Sequence, residues 1–401
     1  MIGYLKNFHR IVWIQVGGHA ITSFVSIILL PFLTLYMYEQ FGENIMIVTL
    51  VIGIQPFTEI LFTFLLGGWI DRIGRRPIML GSLAFQIIAI GGFAFATHTW
   101  LYVLFSFLNG IGRFVYIPAA RAQIADIIPA SKQAETFAIL STASSIGALG
   151  GPIVGAVLFQ FNQEFLFLMM ASLILVYLLI AIAFLPESIP TTMEKTRDYK
   201  VKLKNNKLLV WFAVGMLPLS FFHAQMETNW PVYLKENLVN YLFVFSLLET
   251  IGTIVFILFE VYLINRTAGF SSAFMVQVGY GLYAVAAIGF GVFHNIVGLI
   301  VSQVLFCMGS IMVLNHMQSL VSNIAPVNHK GRYFALFGLH WDISRSVGPL
   351  LGSGILSALG GRNLFFVVLL LVVLGFFSQT RAFTSISEKQ SILLEKSSKS
   401  T

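Results

Sequence analysis

Charge is what this chain has least of. Asp, Glu, Lys and Arg make up 10% of its 401 residues, and hydrophobic residues make up 57%. Soluble domains carry about 25% charged residues. With a mean hydropathy of +0.85, there are too many apolar residues for a water-facing surface to hide, which excludes an ordinary soluble globular protein. Cysteine is nearly absent too. Cys307 stands alone in an apolar run, so an internal disulfide and a cysteine metal cluster are both excluded. There is no Gly-x-x-x-x-Gly-Lys-Ser/Thr phosphate loop, so ATP drive is not expected. No nucleophile motif points to an enzyme, and no cofactor is expected. His340 and Asp342 lack the helical spacing of metal ligands and have no evident third partner, so no metal site is expected either.

What the chain has instead is long apolar runs. A membrane-spanning helix needs about 20 mostly apolar residues. Twelve such runs are found, at 11–38, 45–70, 77–97, 100–127, 134–158, 165–185, 208–234, 238–264, 270–293, 295–322, 333–357 and 362–380. The fold class predicted is an all-α integral membrane protein. The basic pI of about 9.4 then has a local explanation. With a cytoplasmic N-terminus, nineteen Lys and Arg fall in inside segments and only Lys235 and Arg362 in outside loops. That is the positive-inside bias, next to an anionic leaflet, and it leaves no basic face for nucleic acid. The first run, about 28 residues, is longer than a signal-peptide core and reads as a retained helix. Residues 186–207, mixing Pro, Thr, Lys, Asp and Glu, read as a solvated cytoplasmic linker. The Ser/Lys-rich residues 385–401 read as a poorly ordered cytoplasmic tail.

Between the second and third runs lies a short basic turn, Gly67 to Leu80, GGWIDRIGRRPIML. Its pattern Gly67-x-x-x-Asp71-Arg72-x-Gly74-Arg75-Arg76 resembles the loop 2–3 signature of the major facilitator superfamily, G-x-L-A-D-R-x-G-R-K-x-x-L, with Trp69 in place of the Leu. The resemblance implies twelve transmembrane helices in two six-helix bundles, and transport by alternating access. It also implies that Asp71 contacts the start of span eleven, near Gly331 and Arg332, as a gating latch.

The halves repeat. Ile124 to Pro129 matches Val321 to Pro326 at an offset of 197, and the same offset carries Phe137 to Phe334, Gly151-Pro152 to Gly348-Pro349 and Gly155 to Gly352. A parallel repeat of two bundles, 1–185 and 208–384, is expected, with a site near the membrane midplane. In the fifth run Gly147-x-x-x-Gly151-Pro152-x-x-Gly155-Ala156 resembles the G-x-x-x-G-P-x-x-G-G signature of antiporters in that superfamily. Glycines four apart let another backbone approach, and Pro152 favours a bend. Plain helix packing explains the same residues. Drug/proton antiporters of the superfamily often carry Arg in the fourth span three residues before Gln-Gly. Here Asn109-Gly110 fits the pair but Ser106 holds the arginine position. Arg113, two helical turns on, projects from nearly the same face as Ser106.

An ionisable side chain inside the membrane costs at least a few kcal/mol. Glu59, Arg113, Glu227, Glu249, Asp342 and Arg345 are therefore candidates for a proton-coupling or cation site. Asp342 and Arg345, three apart on a helix, equally fit a structural ion pair. If the superfamily arrangement holds, Glu59 reaches that pair. Gln15 and His19, four apart on the first run, either line a cavity or bond a neighbouring helix, and His223 and Gln225 on the seventh read the same way. Asp126 and Glu260, near cytoplasmic ends, read as packing or gating charges. A Phe- and Met-rich wall with a few acids suits bulky lipophilic cations.

The function this implies is proton-coupled export of lipophilic or cationic compounds across a bacterial plasma membrane. Its partners would be a small-molecule substrate, protons and the lipid bilayer, with the chain acting as a monomer. A specific carrier for a sugar, amino acid or other metabolite, a lipid translocator, and a non-transporting sensor or scaffold are the alternatives.

Overall fold

The structure is a computed structural model that describes residues 10–66, 74–188, 207–267, 269–325 and 330–398. Every regular element in it is a helix. The first six are α1 (Arg10–Gln40), α2 (Ile45–Leu66), α3 (Arg75–Phe93), α4 (Thr99–Ile127), α5 (Ala130–Phe161) and α6 (Gln163–Phe184). Then come α7 (Lys207–Glu227), α8 (Asn229–Asn237), α9 (Tyr241–Thr267), α10 (Ser272–Val292), α11 (Ile296–Ile324), α12 (Lys330–Leu359) and α13 (Gly361–Ser398).

Eleven of these are long and apolar enough to cross a membrane. The twelfth span is α12, whose apolar run carries His340, Asp342 and Arg345, residues that lower its hydropathy without shortening it. The seventh span is split. α7 stops at Glu227, Thr228 leaves the helical region with φ −127° and ψ −67°, and α8 starts at Asn229. Pro231 explains the break. It has no N–H to give to the Glu227 carbonyl and its ring clashes there. The last helix runs to Ser398, so the stretch after 385 that composition marks as unstructured continues α13 in its described part.

Helix ends are set locally. Asn162, Ser271 and Asn295 cap α6, α10 and α11 by accepting the backbone N–H three residues on, which satisfies one of the orphan donors of each first turn. The 197-residue repeat is visible in the bounds themselves. α4 and α11 are both 29 residues long, and their first and last residues are each 197 apart.

The chain forms two compact units, Met1–Arg197 with Glu227–Thr253, and Asp198–Met226 with Ile254–Thr401. The first therefore includes α8 and the start of α9, which the sequence groups with the second bundle. Polar contacts tie that segment down. Lys235 pairs with Glu39, and Tyr38 donates to Glu236 Oε1 at 2.6 Å. Gln163 donates to the other Glu39 oxygen at 2.6 Å. Nearby, the Phe32 ring meets those of Phe159 and Phe245.

In the first unit α1 packs along α5. The glycines at 147, 151 and 155 make this possible. A Cβ at Gly147 would strike the Ala20 carbonyl, and one at Gly155 would lie 2.6 Å from the Phe32 ring. A small core of Val12, Ile124, Ile128 and Leu140, with Phe137 against it, joins α1, α4 and α5. In the second unit Phe222 of α7 is buried among Tyr283, Phe290, Phe306 and Phe365. Outward faces stay apolar, as at Ile254, Ile257, Leu258 and Val261 of α9, all exposed. Water disfavours such a face, whereas a lipid acyl phase accepts it.

Gly147→Val is expected to destabilise the first unit by about 1–3 kcal/mol through overpacking against α1. The melting temperature of the purified protein in detergent would drop, whereas an unchanged value would show that α1 and α5 have room to part.

Candidate functional site

α2 and α4 come unusually close. A Cβ added at Gly110 would lie 2.6 Å from the Gln55 carbonyl and 2.8 Å from Thr58 Cβ. Polar side chains flanking this contact are pressed onto each other in a ladder of two rungs. Asn109 Nδ2 donates to Gln55 Oε1 at 2.8 Å, with both residues buried. One turn further along both helices, Arg113 Nε stands 3.7 Å from Glu59 Oε1, the two side chains 27% and 25% exposed. The spacing is i,i+4 on each helix, which puts successive rungs on one face.

The lower rung is finely balanced. At an effective dielectric of 20, unit charges about 4 Å apart attract by roughly 4 kcal/mol. Removing each ion from water costs several kcal/mol. The pair is thus neither a strong clamp nor free to dissolve, and neutralising Glu59 shifts the balance by leaving Arg113 uncompensated.

The remaining candidates fall into separate groups. Glu227 and Glu249 both lie in the first unit, partly buried. Gln15 is fully buried. Its Nε2 donates to Gln123 Oε1 at 2.6 Å, and Gln123 in turn donates to the Pro186 carbonyl at 2.8 Å. Tyr116 donates to the Tyr177 hydroxyl at 3.0 Å beside it. Gln15 thus bonds the neighbouring helix α4, the second of its two sequence readings. His19 is half-buried with its ring 6.4 Å from that of Tyr116.

In the second unit His223 Nε2 is hydrogen bonded to the Tyr283 hydroxyl at 2.8 Å and to Ser310 Oγ at 3.3 Å. Its ring centroid lies 4.5 Å from that of Phe306 and 5.0 Å from that of Trp341. Arg345 stacks over Trp341 at 5.5 Å, and its charge acts on His223. Asp342 is partly buried one residue beyond Trp341. Gln225 is buried and donates to the Gly348 carbonyl at 3.0 Å, next to the proline of the second repeat. Glu260 accepts from Asn315 at 3.1 Å.

Gly67, Asp71 and Arg72 of the basic turn lie outside the described residues, as does the loop before α12. The turn is described from Gly74 onward. Gly74 takes φ 101°, a backbone region that favours glycine, which explains its place in the pattern. Arg75 pairs with Asp126 at 3.2 Å, and the same Asp126 oxygen accepts from Ser188 at 3.2 Å. Arg76 Nη2 donates to the Ile182 carbonyl, and its backbone N–H donates to Glu187. The two arginines therefore hold the first residues after α6 against α3 and α4. Among the described residues no three His, Cys, Asp or Glu side chains gather as a metal site would need.

Reading the sequence flagged Arg113 and Glu59 separately, and the structure brings them together. It missed Gln55. The signal was present, since Gln55 precedes Glu59 by four and Asn109 precedes Arg113 by four. Tyr283, Ser310 and Trp341 had no comparable pattern, because a lone Tyr, Ser or Trp in an apolar helix is ordinary.

The profile described as Major Facilitator Superfamily matches residues 16–349. The chain belongs to this superfamily. It is 33% identical to the uncharacterized MFS-type transporter YhjO of Bacillus subtilis (strain 168), over 96% of this chain and 98% of that one. It is 26% identical to a Na(+), Li(+), K(+)/H(+) antiporter of Planococcus maritimus, over 86% and 89%. It is 24% identical to the multi-drug resistance efflux pump PmrA of Streptococcus pneumoniae serotype 4, over 92% and 94%. Among solved structures, the nucleoside transporter NupG aligns with a TM-score of 0.79 at 12% identity, covering 93% of this chain and all of that one. That likeness concerns the fold alone. The protein is thus a multi-pass membrane transporter of the Major Facilitator Superfamily, and its twelve-helix fold is that of the superfamily.

Within this superfamily chain the Glu59–Arg113 rung should behave as a coupled pair. Glu59→Gln is expected to destabilise by about 1–3 kcal/mol, between the values for exposed and buried pairs. Arg113→Met added to it should restore most of the loss. A double-mutant cycle on melting temperature in detergent checks this. Simple additivity of the two losses would mean that the side chains do not interact.

Proposed function

We propose that this transporter exports lipophilic cations from the cytoplasm in exchange for protons, with the N- and C-termini inside. The observation that carries the reading is the Glu59–Arg113 pair, a carboxylate set against one arginine between two membrane-spanning helices. Such a carboxylate has two states. Ionised, it is held by Arg113 and attracts a cation. Protonated, it releases both. A site that binds a proton or a cation but not both is the minimum that exchange requires. Glu227 and Glu249 place two further carboxylates in the same unit. The likeness to a multidrug efflux pump over most of both chains supports this substrate class.

A second reading has its own support. The relative named as an alkali-cation/proton antiporter has similar coverage, and paired acids suit small cations as well as organic ones. Both readings share the exchange chemistry and differ in the size of the cation.

The test is ethidium efflux from cells lacking their own pumps, with and without a protonophore, comparing wild type with Glu59→Gln and Asp342→Asn. The proposal expects protonophore-sensitive efflux that falls at least about tenfold, some 1.4 kcal/mol, in Glu59→Gln. Absence of efflux despite good membrane expression, with sodium- or potassium-driven proton movement in everted vesicles, would favour the alkali-cation reading. Absence of both would overturn proton-coupled cation export.

A further inference from the structure

Helix α12 has two accessible sides, and only one of them suits lipid. Ile343, Val347 and Leu351, four apart, form an exposed apolar stripe. Gly338, Trp341, Asp342 and Arg345 are partly exposed as well. At 3.6 residues per turn this second set lies about 170° around the helix from the first. Beyond Arg345 the second side closes, with Pro349, Gly352 and Ser353 buried. Before that point there is open space, since a Cβ added at Gly338 would meet nothing within 4 Å. Lipid accepts the apolar stripe, whereas an accessible side that carries Asp and Arg within a span belongs against water. From Gly338 to Arg345, about 10 Å along the axis, α12 therefore presents an open aqueous side.

Trp341 is the unusual member of that side. Tryptophan gathers at membrane–water interfaces, yet Trp341 stands about 17 Å along α12 from Lys330. Two imidazoles of the second unit hold its indole. His223, hydrogen bonded to Tyr283 and Ser310, sets its ring centroid 5.0 Å away at 65°. His340, hydrogen bonded to Ser220, lies 5.5 Å away at 37°. The indole is thus fixed in orientation while part of it stays accessible. Arg345 Cζ lies 5.5 Å from the indole centroid, within the reach of a cation–π contact. A cation already rests on this ring, supplied by the protein itself.

We propose that Trp341 is the platform on which a planar organic cation stacks, and that Arg345 holds that place until the substrate displaces it. The proposal rests on the export reading above and names the surface that recognises the organic part of the cargo. A flat aromatic cation gains twice on an indole, by its charge against the ring quadrupole and by the apolar area the two rings share. An alkali ion has no such area to share. Asp342 adjoins on the same side, three residues from Arg345, so the displaced guanidinium has a carboxylate within reach. His223 and His340 touch the indole and are positioning residues. With the termini inside, α12 starts at the cytoplasmic face. Its open side then covers the cytoplasmic half of the span and ends before the outer half, as an exporter that takes its substrate from the cytoplasm requires.

The experiment uses the purified full chain in detergent. Ethidium binding is followed by fluorescence, with phenanthridine, its uncharged ring system, as the control ligand and melting temperature measured alongside. Trp341→Leu is expected to weaken ethidium binding at least about tenfold, and Trp341→Phe, which keeps a ring, to retain most of it. Gly338→Leu fills the open space, removes no contact and improves helix propensity, so ethidium binding falls while the melting temperature does not. Arg345→Met removes the internal competitor. Ethidium then binds about two- to fivefold tighter, phenanthridine binds as before, and the gain largely disappears in Trp341→Leu/Arg345→Met. Binding unchanged in both Trp341→Leu and Gly338→Leu would overturn the proposal. So would losses that follow melting temperature across the set, the mark of a structural role, or an Arg345→Met gain that is equal with and without Trp341, the mark of charge alone. Wild type that exports ethidium while these variants bind it normally would remove this site and leave the export reading standing. Wild type that neither binds nor exports ethidium would overturn the reading and the site together.

Discussion

A carboxylate at Glu59 can stay in an apolar helix because Arg113 stands opposite on the neighbouring one, 3.7 Å away. Much else in the first unit follows from that constraint. In a bilayer there is no water to satisfy a stray polar group, so each must find a partner within the protein. The close contact of α2 with α4 at Gly110 supplies one. Without that glycine the helices would stand further apart and the two rungs would not meet. Sequence, packing and charge thus converge on one short stretch of two helices.

The same economy appears elsewhere. Gln15 spends its amide on Gln123, which spends its own on the Pro186 carbonyl, fixing the chain as it leaves α6. Arg75, Arg76 and Asp126 hold Glu187 and Ser188 at the neighbouring end of the bundle. At the opposite end Glu39 collects Lys235 and Gln163. The interior charge is confined between these two polar ends, and the helices between them carry little else that is charged.

The fold was largely legible in the sequence, for a simple physical reason. A span is a length of apolar residues, and length and hydropathy can be read without knowing what packs against what. The repeat was legible because Pro and Gly at matched positions do the same backbone work in both halves. The split of the seventh span was less so, since Pro231 bends or breaks a helix depending on its surroundings. The site was only half legible. Intramembrane charges such as Glu59, Arg113 and Asp342 announce themselves by their cost. Gln55 and Asn109 cost less and are common in helix contacts. Their pairing depends on the rotation of two helices, which a single sequence does not contain. The helical continuation past 385 was missed because Ser- and Lys-rich composition says little once a long helix already leads into it.

The central claim is that one carboxylate binds either a proton or a cation. The most direct measurement is the number of protons released when ethidium is added to the purified protein in unbuffered solution containing an indicator dye. The account predicts release from wild type and none from a chain with Gln at position 59 that still binds ethidium. Equal release from both, or binding without release in wild type, would contradict it.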